Sequence, residues 1–341
     1  MKKKLKEKLN FEELEEKELE LEKQENIFKT IIKWMFKNVK FLLIPGSKIY
    51  DLTLREIEYE KSISKRKFIR RLRSPLTITG ILIIFMVVTF AVFPSWIALY
   101  TFEEANGVFF GKFAPPSPNY PLGQTDFGRD VYSRMIYGAR SSLTIALPAI
   151  SLSVLAGIVL GVISAYYGGW VDSIIMRIVD IMLAFPALIF ALVLVGILGV
   201  SLENIILAYG ILGIPYYSRL IRGNVLQARQ LPYVEAARVS GAGNWAVMFK
   251  HILPNVIQPI IISFTMDLGG VILSFAGLAF LGYSDPSLIE WGRDISIARG
   301  RLINAPWASF WPGFMIMLTV LGFMLLGDGL RDALDPRLRN L

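Results

Sequence analysis

The chain alternates long apolar stretches with charged connectors. Six runs, 76–96, 143–167, 178–200, 205–222, 256–280 and 311–330, approach the ~20 residues that a membrane-crossing helix needs. Pro215 interrupts the fourth run, whose ends are the least sharply bounded. Glycines recur inside the runs, as at Gly157, Gly161, Gly196 and Gly199. In lipid, small residues let helices approach one another, so this pattern predicts a packed all-α, polytopic bundle of six transmembrane helices. Residues 76–341 form this membrane domain, preceded by a charged arm, 1–75. Within the arm, 5–25 are almost wholly Glu, Lys and Leu and read as a solvated helix or a disordered segment. At 27–44, Lys29, Lys33, Lys37 and Lys40 share one helical stripe while apolar residues fill the rest. Four lysines argue against a span and for an amphipathic helix lying in the membrane interface, ended by Pro45-Gly46. A partner-binding helix is the alternative there.

The connector 223–255 differs from the others. From Tyr233 to Pro254 it reads as two short helical pieces, with small residues at Ala236, Ala237 and Gly241 and a stop at Pro254. Small side chains let another surface come close to the backbone, and glycine permits a sharp turn. A solvated linker needs neither. With the amino terminus placed in the cytoplasm, inside segments carry 29 of the 36 Lys and Arg residues, the bias expected of cytoplasmic loops. Six spans then put both termini and the 223–255 loop on the cytoplasmic side.

Composition narrows the function. Apolar residues make up 54% and charged residues 19% of 341, which points to a bilayer as part of the solvent. The chain has no cysteine and one histidine, His251, which excludes thiolate chemistry and leaves no Ser/His/Asp set of credible form. Of the net charge of +8, most sits in 1–75, where 20 Lys and Arg face 13 Asp and Glu. Such a basic flank beside a span suits anionic lipid rather than nucleic acid. No apolar core follows the opening lysines closely, so a cleavable leader is not expected. There is no Gly-x-x-x-x-Gly-Lys-Ser/Thr loop; Gly111-Lys112-Phe113 lacks both the upstream glycine and the hydroxyl. The chain is therefore not expected to bind or hydrolyse ATP.

Four segments carry a resemblance. Glu235-Ala236-Ala237, then Gly241, then His251-Ile252-Leu253-Pro254 resembles the EAA loop of the permease subunits of ATP-binding-cassette (ABC) importers. The histidine in the usual aliphatic position is typical of the dipeptide/oligopeptide branch. Pro121-Leu122-Gly123-Gln124-Thr125-Asp126-Phe127-Gly128-Arg129-Asp130 is similar to that branch's first external loop. The stretches from Met176 to Pro186 and from Gly327 to Arg339 are similar to its third span and to the carboxy-terminal signature of its "C" permease. The resemblance implies the type I importer permease fold and a translocation pore shared with a second, related permease. It also implies two cytoplasmic ATPases, which hold the ATP and magnesium, and an extracytoplasmic solute-binding protein. It assigns ATPase docking to Glu235, Ala236, Ala237, Gly241, His251, Leu253 and Pro254, with Leu253-Pro254 closing the element. No cofactor or metal is implied for this chain itself. Two departures stand out. Phe275 to Gly282 is apolar where relatives often carry Glu and Ser, and Met324 stands where Asn is common. Both make the expected path less polar.

Charges inside the spans are the remaining candidates. Asp267 falls mid-way along the fifth run and Asp180 near the start of the third. A mid-membrane carboxylate costs about 2.5–3.5 kcal/mol on insertion scales, so it should face the bundle or water. Asp267 reads either as a path residue meeting a peptide amine or as a polar contact between helices. Asp180 is expected to pair with Arg177, one turn back. Arg129, Asp130, Arg134 and Arg140 read as a hydrated external charge cluster, or as a packed scaffold if the resemblance holds. Trp291 and Trp307 read as interfacial anchors or as surface for receiving a binding protein.

The chain is expected to be a non-enzymatic permease subunit of an ATP-driven importer of short peptides, in the cell membrane. Oligosaccharides and nickel complexes are alternative cargoes, nickel being disfavoured by the single histidine. A proton-coupled transporter using Asp180 and Asp267, and a membrane scaffold that moves nothing, are the rivals of other classes.

Overall fold

The computed structural model describes residues 74–108 and 111–334, together with Lys29 and Leu72. Contacts divide the chain into two units, Met1–Lys67 and Phe68–Leu341. The interfacial helix expected at 27–44 lies outside the described residues apart from Lys29.

The described part of the second unit is helical. Its principal helices are α1 (Pro75–Val92), α2 (Val131–Tyr167), α3 (Gly169–Leu183), α4 (Ala187–Leu198), α5 (Leu202–Ala228), α6 (Pro232–Val239), α7 (Gln258–Phe280), α8 (Trp291–Ala298) and α9 (Trp307–Leu334). Four of them, α1, α2, α7 and α9, are long and apolar enough to cross a membrane, and the pair α3 and α4 makes a fifth if counted as one broken span. That pair bends by 92°. The cause is local: Pro186 has no backbone N–H to continue the helix and disfavours helical geometry in the residue before it. The third span expected as one run at 178–200 is thus two arms, the first beginning nine residues earlier at Gly169.

The fourth expected run also differs. Pro215 does not interrupt α5, which continues through it to Ala228. It packs closely against α2 along this stretch. A Cβ on Gly157 would lie 2.4 Å from the Tyr217 Cβ, and one on Gly161 2.6 Å from the Ser218 carbonyl oxygen. The Ser153 hydroxyl donates to the Gly210 carbonyl at 2.7 Å. Close approach therefore explains two of the four glycines singled out above. Gly196 has no such neighbour, and Gly199 ends α4 with φ +89°.

Helix α2 has 37 residues, a length of about 55 Å, well beyond the ~30 Å hydrocarbon core. Its first turns build a polar-cored cap at the bundle end opposite α6. Asp130 caps α2 by accepting from the Ser133 amide at 2.8 Å. Arg134 and Asp294 are each 2% exposed and form a forked ion pair, with one contact at 2.6 Å. The same guanidinium donates to the Ala105 carbonyl at 2.8 Å, so one side chain ties α2, α8 and the short helix Phe102–Asn106. Removing one member of such a pair costs about 3–5 kcal/mol, because the other charge is left buried alone.

A hydrated external cluster is thus overturned for Asp130 and Arg134; only Arg140 is exposed, while half-buried Arg129 donates to the Gly107 carbonyl at 2.7 Å. Trp291 is likewise no interfacial anchor. It is 2% exposed, and its indole donates to the Met135 carbonyl at 3.0 Å. Gly138 leaves the space for that ring. Trp307 is tied to the same cap by donating to the Gln124 carbonyl at 3.1 Å.

Candidate functional site

Two arrangements gather the residues singled out from the sequence. The first is the 223–255 loop. Pro232 opens α6 at a position where a missing N–H costs nothing. The helix ends in paired reverse bonds: the Ala242 amide donates to the Ala237 carbonyl at 3.1 Å, and the Gly241 amide to the Arg238 carbonyl at 2.9 Å. This Schellman closure requires a left-handed residue after the cap, and Gly241 supplies it with φ +84°. Gly241 therefore serves the turn; among the described residues, its own chain neighbours aside, no atom lies within 4 Å of a Cβ placed there.

The chain then runs from Asn244 into a π-helical turn, Ala246–Ile252, followed directly by Leu253–Val256. Pro254 does not stop this element. The Leu253 amide donates five residues back, to the Met248 carbonyl, and the widened turn accommodates the proline. The Asn255 amide side chain donates to the His251 carbonyl at 2.7 Å.

The loop is two-faced. Val234, Val247 and Ile252 are fully buried, and Met248 nearly so, all within the bundle's main core. Tyr166 at the α2 end donates to the Asn244 side chain at 2.8 Å, and the Arg238 guanidinium lies 5.2 Å from the Tyr166 ring centre. Arg229 donates to the Ala165 carbonyl at 2.7 Å. On the opposite face Glu235 and Ala236 are exposed, Ala237 is partly exposed, Val239 is 90% exposed and Trp245 65%. His251 and Leu253 are partly buried and Pro254 is exposed. The loop is anchored firmly beneath and exposed on top, where apolar Val239 and Trp245 stand among polar Glu235 and Arg238.

The second arrangement is a cleft of about 530 Å³ between α2, α4, α5 and α7. Asp267 lines it, accepting from the Tyr217 hydroxyl at 2.7 Å. Tyr216, Ser153 and Ser274 add hydroxyls to an otherwise apolar wall. Gly270, Leu273 and Ser274 are exposed, so the cleft opens onto the α7 face. Asp180 does not line it, and its partner is Arg219 of α5 at 2.5 Å rather than Arg177. Arg177 lies N-terminal to Asp180, the less favourable order for an ion pair along one helix. Closer to the α3 start, Asp172 receives a two-pronged contact from Arg222, with both bonds at 2.6 Å. The Asp172–Arg222 pair was not singled out from the sequence, although Asp172 in the first turn of an apolar helix marks a charge needing a partner.

A family model described as "Binding-protein-dependent transport system inner membrane component" matches residues 157–340, which include the α6 loop and Asp267. The chain belongs to this family. Among curated relatives, it is 41% identical to the dipeptide transport system permease protein DppC of Alkalihalophilus pseudofirmus, over 79% of this chain and 88% of that protein. It is 39% identical to the glutathione transport system permease protein GsiD of Pectobacterium atrosepticum, over 81% of this chain and 92% of the relative. A solved chain of the MetNI methionine ABC transporter, in inward facing conformations, shares the fold with a TM-score of 0.50 at 17% identity. It covers 59% of this chain and 97% of that one. This inner membrane component therefore has the permease architecture expected from its EAA-like loop.

Proposed function

We propose that this chain is one of two permeases in an ATP-driven importer of short peptides, pairing with a second, related permease. Two cytoplasmic ATPases and an extracytoplasmic binding protein complete the assembly. The names of the similar DppC and GsiD proteins, a dipeptide and a glutathione permease, support a peptide cargo. In this reading α5 is the sixth span beside α1, α2, the α3–α4 pair, α7 and α9. Its 27 residues are long enough to cross, although it carries the charges Glu203, Arg219 and Arg222. Both termini and the α6 loop face the cytoplasm.

One observation supports the proposal above the rest: a short helix with a buried underside, held by the bundle's core, and an exposed top that carries Val239 and Trp245. Fixed beneath, it transmits a push from an ATPase to α5 and α7, the helices it joins. Such rigid-body coupling alternates the access of a central site. The exposed Ala236 allows a test, since a bulky side chain there meets solvent and not this chain. In reconstituted liposomes with ATP, Ala236→Trp should lower peptide uptake by at least about tenfold and release the ATPase on detergent extraction. Gly241→Val should uncouple hydrolysis from uptake by straining the turn, while Gly241→Asn, which tolerates the left-handed conformation, should retain coupling. Normal uptake by Ala236→Trp would end the docking assignment. The cleft with Asp267 is the route, its carboxylate meeting the ammonium group of a peptide.

A further inference from the structure

A second cavity, about 470 Å³, lies next to the Asp267 cleft toward the α6 end, bounded by the start of α7 and the end of α9. Tyr216 is the one residue that lines both. Its hydroxyl reaches Ser263 of α7 at 3.2 Å, and Ser263 belongs to the second cavity. Ser263 stands one helical turn from Asp267 on α7. Tyr217, which follows Tyr216 on α5, holds Asp267, so adjacent tyrosines grip the two successive positions from one side. Their rings meet edge to face, 5.2 Å apart, which couples their movement.

The residue before Tyr216 is Pro215, buried against the bundle. A proline inside a helix removes one backbone hydrogen bond, here the one the Ile211 carbonyl would accept, and so concentrates bending at that turn. Tyr216 is 48% exposed and borders both cavities, which leaves its ring room to move. A large aromatic bar, latched by one hydroxyl and mounted on the weak turn of α5, therefore divides two chambers on adjoining stretches of the same helices. Helix α5 runs directly into the α6 loop, so a push there reaches the bar through a single element.

We propose that Tyr216 is a shutter between two consecutive chambers of the route, latched by Ser263 and released when α5 bends at Pro215. The inference rests on the reading of the Asp267 cleft as the route, but its test does not require transport. The chain has no cysteine, so Ser274→Cys, on the exposed wall of the Asp267 chamber, provides a unique thiol. In inside-out vesicles holding the nucleotide-free complex, a membrane-impermeant maleimide added from the α6 side should label this thiol slowly.

Adding Tyr216→Ala should raise the labelling rate at least about tenfold. Tyr216→Phe and Ser263→Ala remove only the latch and keep the bulk; each should raise it severalfold, and these milder changes stand in should the alanine variant fail to assemble. Equal labelling rates in assembled latch variants and the parent would overturn the shutter. Peptide uptake by Asp267→Asn reports separately on whether the chamber is the route.

Discussion

At the scale of single residues, pairing decides what each charge does. Asp267 could be read from the sequence either as a path carboxylate or as a helix-to-helix contact. The helix-to-helix contact is present, since Tyr217 holds one oxygen, and the side chain also borders an open cleft, which is what the proposed path role requires. Holding the carboxylate by a neutral donor keeps it available to a cation in a way that an arginine partner would not. Asp172 and Asp180, each facing an arginine of α5, are by contrast already committed. Replacing Asp267 with Asn should therefore reduce uptake of free peptides more than that of amino-terminally acetylated ones, with the ATPase still bound. Competition between the two substrates in proteoliposomes measures this, and an unchanged preference would leave Asp267 as a structural contact.

At the scale of elements, the far cap shows how buried polar groups arise between helices. Glu290, at the start of α8, is 1% exposed, with only nearby Ser284 and Arg293 to ease the burial of its carboxylate. Burial, aided by the nearby Asp285 and Asp294 charges, pushes its pKa up to about 8 from 4.5, outweighing the easing effects of Arg293 and Ser284. The folded chain then binds a proton that the unfolded chain releases between these values. Stability accordingly falls as pH rises from about 4.5 to about 8, and levels off above. Glu290→Gln should flatten that slope without altering the low-pH melting temperature. Thermal melts of the purified complex between pH 5 and 8.5 give the comparison, and parallel slopes would remove Glu290 as the source. The α6 loop makes a related point. Its sequence marks small residues and a turn, but whether Gly241 serves contact or conformation depends on φ, which only the fold supplies.

At the scale of the whole molecule, the α6 loop and the far cap stand at opposite ends of the bundle. Helix α2 starts in the cap and ends where Tyr166 touches the loop, and α9 runs from the cap side back past α1, with Gly322 against Ile83. The proposed topology therefore places Val239 and Asn119 on opposite faces of the membrane. Single cysteines in this cysteine-free chain check it. Val239→Cys should react with an impermeant maleimide only from the cytoplasmic side, and Asn119→Cys only from the outside. Labelling of both from one side would reverse or break the six-span arrangement.

Much of this was legible in the chain itself. Runs of apolar residues determine that the molecule is a bundle of long helices, because unpaired backbone groups in lipid leave few other solutions. Small residues at Ala236, Ala237 and Gly241, in register with Leu253-Pro254, sufficed to mark the loop that folds into a short helix with one face buried in the core and the other exposed. Partners and bends were not legible. Arg134 meets Asp294 across 160 positions, and Asp180 passes over nearby Arg177 for Arg219. Pro186 breaks its span and Pro215 does not, although each sits in an apolar run. A residue type sets what a side chain can do, but the outcome depends on which neighbours are packed against it, and only the assembled helices supply those.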